Sequence, residues 1–395
     1  MVIYKDGEIM AVGCLAGLRV LDLSRLLPGP FGTGILAELG AEVIRIESPN
    51  DFDLVRLMPG MFQNINRGKK SISLNLKHPK GKEIFFQLVS KSGVVVEQFR
   101  PGVMERLGVG FEECKKYNPR IVYVSLSGYG SSGAYKDRAG HDLNYISLAG
   151  ISSITGTKNG EPVIPGVQVA DLTGGLYLVI GVLAGLNYVR ETNQPIRLEV
   201  SMLECALSMV GVHLAEFYQS RLEPEAGKMQ LTGALANYNF YRTKDGRWMS
   251  LACLEGKFWS NFCRAIGKPE CELKLMGDAQ EQEALKKKLR EIFASKTLKE
   301  WEELSRANPD LCLEPVLKFS EVEHHPQVKE RGLVQKIKDK SGREYQIISY
   351  PIKFFGLKES PPEPMREKGA DTEKVLMEIG YSSQEIENFR KEGVI

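Results

Sequence analysis

The sequence predicts an open α/β domain, with helices covering a parallel sheet, together with a second and smaller domain. Short apolar runs of strand length alternate with helix-length segments from residue 18 to residue 127. The chain has 395 residues, which is more than one hydrophobic core usually supports. Beyond residue 237 the pattern changes to a hairpin followed by an amphipathic helix. These three observations set the expected architecture.

The first βαβ unit is predicted over residues 18–47. Residues 18–23 are an apolar run typical of a strand, residues 31–39 have a helical pattern that ends at Gly40, and residues 41–47 form a second strand. Consecutive parallel strands need such a crossover helix. The same pattern then predicts these elements: helix 81–92, strand 94–98, helix 110–117 and strand 121–127. Together they indicate a doubly wound, open parallel sheet.

Composition and charge exclude several classes of protein. With 43% hydrophobic and 26% charged residues and a net charge of +2, the chain is typical of globular proteins and lacks the basic surface of a nucleic-acid-binding protein. Its seven cysteines contain no C-x-x-C pair, which argues against a metal or redox site. The first residues lack the regions of a signal peptide. We therefore expect a cytoplasmic protein with reduced cysteines, no metal and no membrane partner.

Basic residues cluster at predicted strand ends and in loops. Loops at the ends of parallel strands gather where ligands bind, so these side chains could meet a polyanion such as a nucleotide diphosphate. A solvated basic rim is the alternative from spacing alone. Pro101 and Gly102 should hold Arg100 on a rigid turn. The candidate anion-binding residues are Arg25, Arg45, Lys69, Arg100, Lys136 and Arg138.

Gly128, Gly130 and Gly133 match the G-x-G-x-x-G pattern after a strand. The dinucleotide fingerprint, however, belongs to the first βα turn and opens a helix. Here the glycines come late and lead into a loop. The motif therefore gives little support to a nicotinamide or flavin enzyme.

His141 and Asp171 are the candidate acid/base residues. His141 is one of five histidines and lies behind a glycine, before a helix-like segment. A histidine there can act as a general base, or it can merely cap or pack. Asp171 precedes an apolar run at 172–189 that approaches transmembrane length, although its glycines favour a closely packed buried helix. As the expected N-cap of that helix, Asp171 would be anchored and ionised, as a base or nucleophile must be.

Further along the chain, Lys244-Asp245-Gly246 is expected to join two strands, 237–243 and 247–254, in a hairpin. An amphipathic helix begins near Phe258. Glu255 lies between strand and helix, where an acidic residue is common and usually only favours the helix dipole.

Seven stretches, spread over nearly the whole chain, carry a family resemblance. They are residues 21–30, 39–47, 66–71, 99–103, Gly140-His141-Asp142-Leu143-Asn144-Tyr145, 325–328 and 379–382. Taken together, they resemble the class III CoA-transferase superfamily of the carnitine-dehydratase type. Within it, the chain is most similar to the racemases of 2-methyl-branched acyl-CoA. Two departures are Gln98, where the family usually has Asn, and Ala134, where Gly-Pro is common.

The resemblance implies a Rossmann-like large domain at residues 1–219, to which residues 331–395 return, and a small α+β domain at residues 220–330. It also implies an interlocked homodimer of ring-shaped chains. The active site would lie between the large domain of one chain and the small domain of the other. His141 and Asp171 would then face Glu255 of the partner subunit.

Three functions follow from the resemblance. The first is racemisation of a 2-methylacyl-CoA by 1,1-proton transfer through an enolate, with no bound cofactor and with coenzyme A as part of the substrate. Backbone N–H groups at the start of the Asp171 helix would stabilise the thioester oxyanion. The second is a CoA transferase with Asp171 as nucleophile, and the third is a CoA-binding subunit without activity. His141 favours the first, because transferases of the superfamily usually have Tyr-Asp where this chain has His141-Asp142.

Overall fold

The computed structural model describes residues 3–5, 8–10, 13–157, 160–274, 277–355 and 363–395. The chain folds into two compact units. The large unit comprises Met1–Ala149, Gly166–Val210 and Gln327–Ile395, and the small unit comprises Gly150–Pro165 and Gly211–Pro326. The domain limits expected from the sequence, at residues 1–219, 220–330 and 331–395, stay a prediction.

The secondary structure alternates strands and helices through the large unit. The strands are β1 (Ile3–Lys5), β2 (Glu8–Met10), β3 (Arg19–Leu23), β4 (Glu42–Glu47), β5 (Lys70–Ser73), β6 (Val94–Glu97), β7 (Val122–Ser127), β8 (Ile196–Ser201), β9 (Tyr238–Arg242), β10 (Trp248–Ala252), β11 (Leu313–Pro315), β12 (Val334–Lys338) and β13 (Glu344–Ile348). The α-helices are α1 (Pro28–Glu38), α2 (Pro59–Asn66), α3 (Pro79–Ser90), α4 (Val103–Leu107), α5 (Phe111–Tyr117), α6 (Asp142–Leu148), α7 (Ile151–Ile154), α8 (Val169–Thr192), α9 (Met202–Met209), α10 (Gly211–Ser220), α11 (Gly256–Ala265), α12 (Ala279–Phe293), α13 (Leu298–Ala307), α14 (Phe319–Val322), α15 (Pro326–Glu330), α16 (Thr372–Glu378) and α17 (Ser383–Lys391). Short 3-10 helices are Leu54–Leu57, Gln230–Thr232, Pro269–Lys274 and Pro309–Leu311.

The main sheet of the large unit has the strand order β5-β4-β3-β6-β7-β8, and every neighbouring pair is parallel. The order reverses between β3 and β6, which is the point where open α/β sheets bind ligands at the carboxyl ends of the strands. This confirms the predicted Rossmann-like parallel sheet. The four strands predicted from apolar runs are β3, β4, β6 and β7, whereas β5 and β8 extend the sheet at its two edges.

The central strands are apolar throughout because helices cover both faces of the sheet. All four residues of β6 are buried, including three consecutive valines. A parallel strand covered on both sides shows this continuous run and not an alternating pattern. In the edge strand β8, by contrast, more and less exposed side chains alternate, and Arg197 and Glu199 are exposed.

The last described segment, residues 363–395, returns to the large unit and covers the edge strand β5. Asp371 Oδ2 accepts a hydrogen bond from the Ser71 N–H at 2.9 Å, and Thr372 Oγ1 accepts one from the Ser73 N–H at 2.9 Å. These side chains accept hydrogen bonds from N–H groups of β5 that could otherwise pair with another strand. Ser382 caps α17 in a capping box with Glu385.

The small unit combines helices with an antiparallel sheet of order β11-β10-β9. Gly246, at a φ of 78°, takes the left-handed conformation in the predicted hairpin between β9 and β10. Trp259, Phe262, Phe293 and Trp301 fill the core beneath the sheet. The small unit is therefore α+β, as the sequence predicts.

Helix α8 is packed closely on one side and exposed on the other. A side chain at Gly175 would come within 2.7 Å of the Pro28 carbonyl oxygen, so this glycine lets α8 approach the start of α1. Ile180 on the other side is 58% exposed. By length and composition α8 is apolar enough to cross a membrane, with a mean hydropathy of 1.8, and no other helix in the described parts of the chain is. The predicted buried helix is thus buried on one face.

Candidate functional site

His141 stands at the junction between a loop and helix α6. It is the N-cap residue of α6, and its backbone N–H donates to Asn144 Oδ1 at 3.0 Å. This bond fixes the backbone at the start of the helix. The imidazole is exposed, so it is available to a ligand.

Asp171 is the third residue of α8 and not its N-cap, which corrects the sequence prediction. The N-cap position belongs to Gln168, whose side chain makes no capping bond. Asp142 supplies the cap from outside the helix: its Oδ1 accepts from the N–H groups of Ala170 at 2.6 Å and Asp171 at 3.1 Å. These two amides are therefore already bonded, and the predicted use of the helix start for an oxyanion is wrong for them.

Burial and two neighbouring groups set the electrostatics of Asp171. Burial, followed by the adjacent Asp142 carboxylate, raises the pKa of Asp171 to about 6, and His141 acts in the opposite direction. Both main causes disfavour the charged form. Asp142, which follows His141 in the chain, accepts from the Asp171 N–H, so the two predicted acid/base residues lie close together. A carboxyl group with this pKa can gain or lose a proton near neutral pH.

Tyr145 braces the loop that carries His141. Its hydroxyl donates to the Gly140 carbonyl oxygen at 2.7 Å. A Cβ on Gly128 would lie 2.4 Å from this hydroxyl oxygen, and one on Gly140 would lie 2.8 Å from the ring. Burial, and then the neighbouring Tyr129 and Asp171, raise the pKa of Tyr145 to about 12. Gly128 thus serves the packing of Tyr145, and no helix follows the G-x-G-x-x-G stretch until α6.

Glu255 lies on the small unit, where it is the exposed N-cap residue of α11. The sequence prediction places it between strand and helix, and the structure has it there, after β10 and before α11. Its predicted role opposite His141 and Asp171 stays a prediction.

Arg45 and Lys69, two of the predicted anion-binding residues, are buried within the large unit. Lys69 Nζ donates to Asp22 Oδ2 at 3.1 Å and to Thr33 Oγ1 at 2.7 Å, and burial lowers the pKa of Lys69 to about 8. Arg45 pairs with Asp53. Because an external ligand could not reach these side chains without breaking such bonds, the structure favours a role for both within the fold.

The other four predicted anion-binding residues are exposed. Arg25 pairs with Asp51 at 3.1 Å. The Arg138 guanidinium lies 3.8 Å from the centre of the Tyr135 ring, a cation–π contact. Among the described residues, the side chains of Arg100 and Lys136 have no ion pair or hydrogen bond. These four remain candidates for an anionic ligand.

An aromatic chain links Arg138 to the acid/base residues. Tyr135 meets Tyr129 edge-on at 5.6 Å, and Tyr129 meets Tyr145 edge-on at 5.0 Å. Such edge contacts are a preferred geometry of aromatic pairs. The loop of residues 128–141, which carries both Arg138 and His141, is therefore packed against Tyr145 of α6. Within the described ranges, no group of three or more His, Cys, Asp or Glu residues could hold a metal ion.

Comparison with known proteins identifies the family. The family model of CoA-transferase family III matches residues 15–372. The chain belongs to CoA-transferase family III. It is 34% identical over 385 residues to the alpha-methylacyl-CoA racemase of Homo sapiens, covering 96% of this chain and 97% of that protein. It is 32% identical over 415 residues to an acyl-CoA transferase of Fusarium pseudograminearum, covering 97% of this chain and 88% of that protein.

A solved structure agrees with the fold. The chain superposes on a CAIB/BAIF family protein from Brucella suis with a TM-score of 0.81 and 25% identity, covering 93% of this chain and 99% of the other. Since racemases and transferases are both similar to the chain, the comparisons establish an enzyme of the combined racemase and CoA-transferase superfamily.

Proposed function

We propose that the protein racemises a 2-methyl-branched acyl-CoA. The observation that carries this proposal is the proximity of His141 to Asp171: Asp142, the residue after His141, accepts a hydrogen bond from the Asp171 N–H, and the pKa of Asp171 is raised to about 6. Exchange of configuration at the carbon beside a thioester carbonyl needs one group that removes a proton and another that returns one. A histidine and a carboxyl group held close together meet this requirement.

In the proposed reaction, one of the two residues takes the α-proton from one face of the substrate. The electron pair of the broken C–H bond moves into the thioester to give an enolate. The other residue then delivers its proton to the opposite face, and the enolate carbon takes up the inverted configuration. One proton is removed and one is returned in each turnover, so none is gained or lost. The turnover leaves His141 and Asp171 with their protonation states exchanged, which is the arrangement that the opposite epimer requires.

A CoA transferase is the second candidate. It would use the Asp171 carboxylate to attack the thioester, releasing CoA thiolate and forming a mixed anhydride. The partly exposed position of Asp171 and the similarity to an acyl-CoA transferase favour this candidate. It leaves His141 without a role, however, and for that reason we place it second.

We also propose that two chains form an interlocked homodimer and that Glu255 of the partner subunit assists His141. The support is the exposed apolar face of α8, where Leu176, Ile180 and Leu183 recur at helical spacing and are each at least 40% exposed. A second copy of this chain would cover them. Co-refolding a His141→Ala chain with a Glu255→Ala chain should restore activity, since some mixed sites would carry both native residues. No recovery in confirmed mixed dimers would contradict a shared site.

Substitution of each acid/base residue tests the proposed reaction. In deuterated water, a His141→Ala enzyme should exchange the α-proton of one epimer of 2-methylacyl-CoA, and an Asp171→Asn enzyme that of the other. Each should racemise about 10²–10⁴-fold more slowly than the wild type, the usual contribution of a general acid or base. If Asp171→Asn abolishes exchange of both epimers while His141→Ala changes neither, the two-residue mechanism is wrong. An Asp171 adduct trapped by hydroxylamine would favour the transferase.

A further inference from the structure

Glu97 is a buried acid at the end of β6 that the proposed reaction does not use. Its carboxylate accepts a hydrogen bond from the Phe99 N–H at 2.8 Å. Burial raises the pKa of Glu97 to about 7. Keeping an ionisable group away from water costs free energy unless the group makes a specific contact. The contact here is with the turn that leads to Arg100.

The backbone of this turn is held at several points. Besides the bond to Glu97, the Val103 N–H donates to the Arg100 carbonyl oxygen at 3.1 Å. Gln98 Oε1 accepts from the Gly29 N–H at 3.1 Å, which ties the strand end to the start of α1. The Arg100 guanidinium is exposed and, among the described residues, has no acceptor. The backbone is thus fixed while the charged group is left for an external anion.

The neighbouring loop repeats this arrangement. Glu199 Oε2 accepts from the Ser131 N–H at 3.0 Å, in the loop that continues to Lys136 and Arg138. In the parallel register Glu97 pairs with Ser125, and Ser125 pairs with Glu199. Partners in register point to the same face of a sheet. Two carboxylates on one face therefore hold the backbones of two loops that carry exposed cations.

We propose that Glu97 and Glu199 are positioning residues that hold these two loops so that Arg100, Lys136 and Arg138 address the phosphates of one CoA molecule. This inference rests on the proposed acyl-CoA substrate. Each carboxylate acts through a backbone N–H and does not itself touch the ligand. Loops at the ends of adjacent parallel strands lie side by side, so their cations can meet a single polyanion.

Negative charge beside a phosphate site would ordinarily weaken binding. Glu97 avoids much of this penalty, because with a pKa of about 7 it is partly neutral at physiological pH. The other charged groups near it are Glu105 on α4 and Arg197 on β8, which lie 3.6 Å apart and offset each other. Glu97 can thus support its loop without adding a full negative charge beside the phosphates.

Titration calorimetry with free CoA tests the proposal on the full-length enzyme. Glu97→Ala should weaken CoA binding about tenfold, roughly the value of one hydrogen bond. It should raise KM by a similar factor and leave kcat within about twofold, because the nucleotide handle and not the reacting carbon is affected. Glu97→Gln keeps an acceptor oxygen and should bind CoA within about threefold of the wild type. Glu105→Ala, a nearby acid with no bond to either loop, is the matched control and should bind as the wild type does.

A double-mutant cycle separates positioning from general damage. In an Arg100→Ala background, Glu97→Ala should weaken CoA binding no further, whereas Glu199→Ala should still do so because it acts on the other loop. Equal losses from Glu97→Ala with and without Arg100, or an unchanged Kd for both glutamate variants, would overturn the proposal. If Glu97→Ala does not fold, the exposed Glu199 gives the same test against Arg138→Ala. A wild type that binds no CoA would instead refute the proposed substrate.

Discussion

Replacing Asp171 with Asn should stabilise the folded protein at neutral pH. In the fold the pKa of Asp171 rises from 3.8 to about 6, first because of burial and then because of the Asp142 carboxylate. The folded state therefore holds the proton more tightly than the unfolded state does, so the free energy of unfolding falls as pH rises between these values. The full shift would correspond to about 3 kcal/mol. Partial exposure and the favourable helix dipole reduce our expectation to about 1–2 kcal/mol.

Thermal unfolding of the wild type and of Asp171→Asn at a series of pH values measures this effect. The variant should unfold about 2–5 °C higher at pH 7.5, and the difference should shrink through pH 4 and vanish at about pH 3, below the unfolded value of 3.8, where Asp171 is protonated in both states. Asp142→Asn is the control with the opposite sign. It weakens the bonds to the Ala170 and Asp171 N–H groups and should cost about 1 kcal/mol. A pH-independent difference, or a less stable Asp171→Asn, would refute the reasoning.

Two further predictions follow from buried contacts. Gly128→Ala should lower the free energy of unfolding by about 1–3 kcal/mol and reduce activity, because its Cβ would displace the Tyr145 hydroxyl. Gly166→Ala is the control: its Cβ would meet open space, so this variant should match the wild type in both thermal unfolding and rate. Asp22→Asn should lower the free energy of unfolding, measured with a denaturant, by about 3–5 kcal/mol. It leaves the ammonium group of Lys69 buried without the Asp22 carboxylate as its partner. Adding Lys69→Met should recover part of that loss, and an additive double variant would contradict the pairing.

The central sheet can be predicted from the sequence because buried parallel strands appear as continuous apolar runs. Strands β3, β4, β6 and β7 fall within one or two residues of their predicted limits. β5 and β8 escape prediction for physical reasons. β5 has four residues, two of them serines, and β8 alternates exposed and half-buried positions at the sheet edge.

The site is harder to predict, because its contacts join residues far apart in the chain. His141 and Asp171 stand out as residue types, yet the capping of α8 by Asp142 spans 28 residues. Nothing in the local pattern indicates that bond. For Arg45 and Lys69 the sequence shows the positive charge, but it does not show that each side chain is paired with a buried acidic residue within the fold. The carboxylate of Glu97 acts through a backbone amide and leaves no motif beyond its place at a strand end.

The central claim is tested most directly by incubating the wild-type enzyme with one epimer of 2-methylacyl-CoA in deuterated water, with no carboxylic acid acceptor. Proton NMR and chiral separation then follow the α-position. A racemase should replace the α-proton with deuterium and bring the two epimers toward equal amounts without a second substrate. An enzyme that leaves the α-proton in place, and moves CoA once a carboxylic acid is added, would contradict the account and establish a transferase.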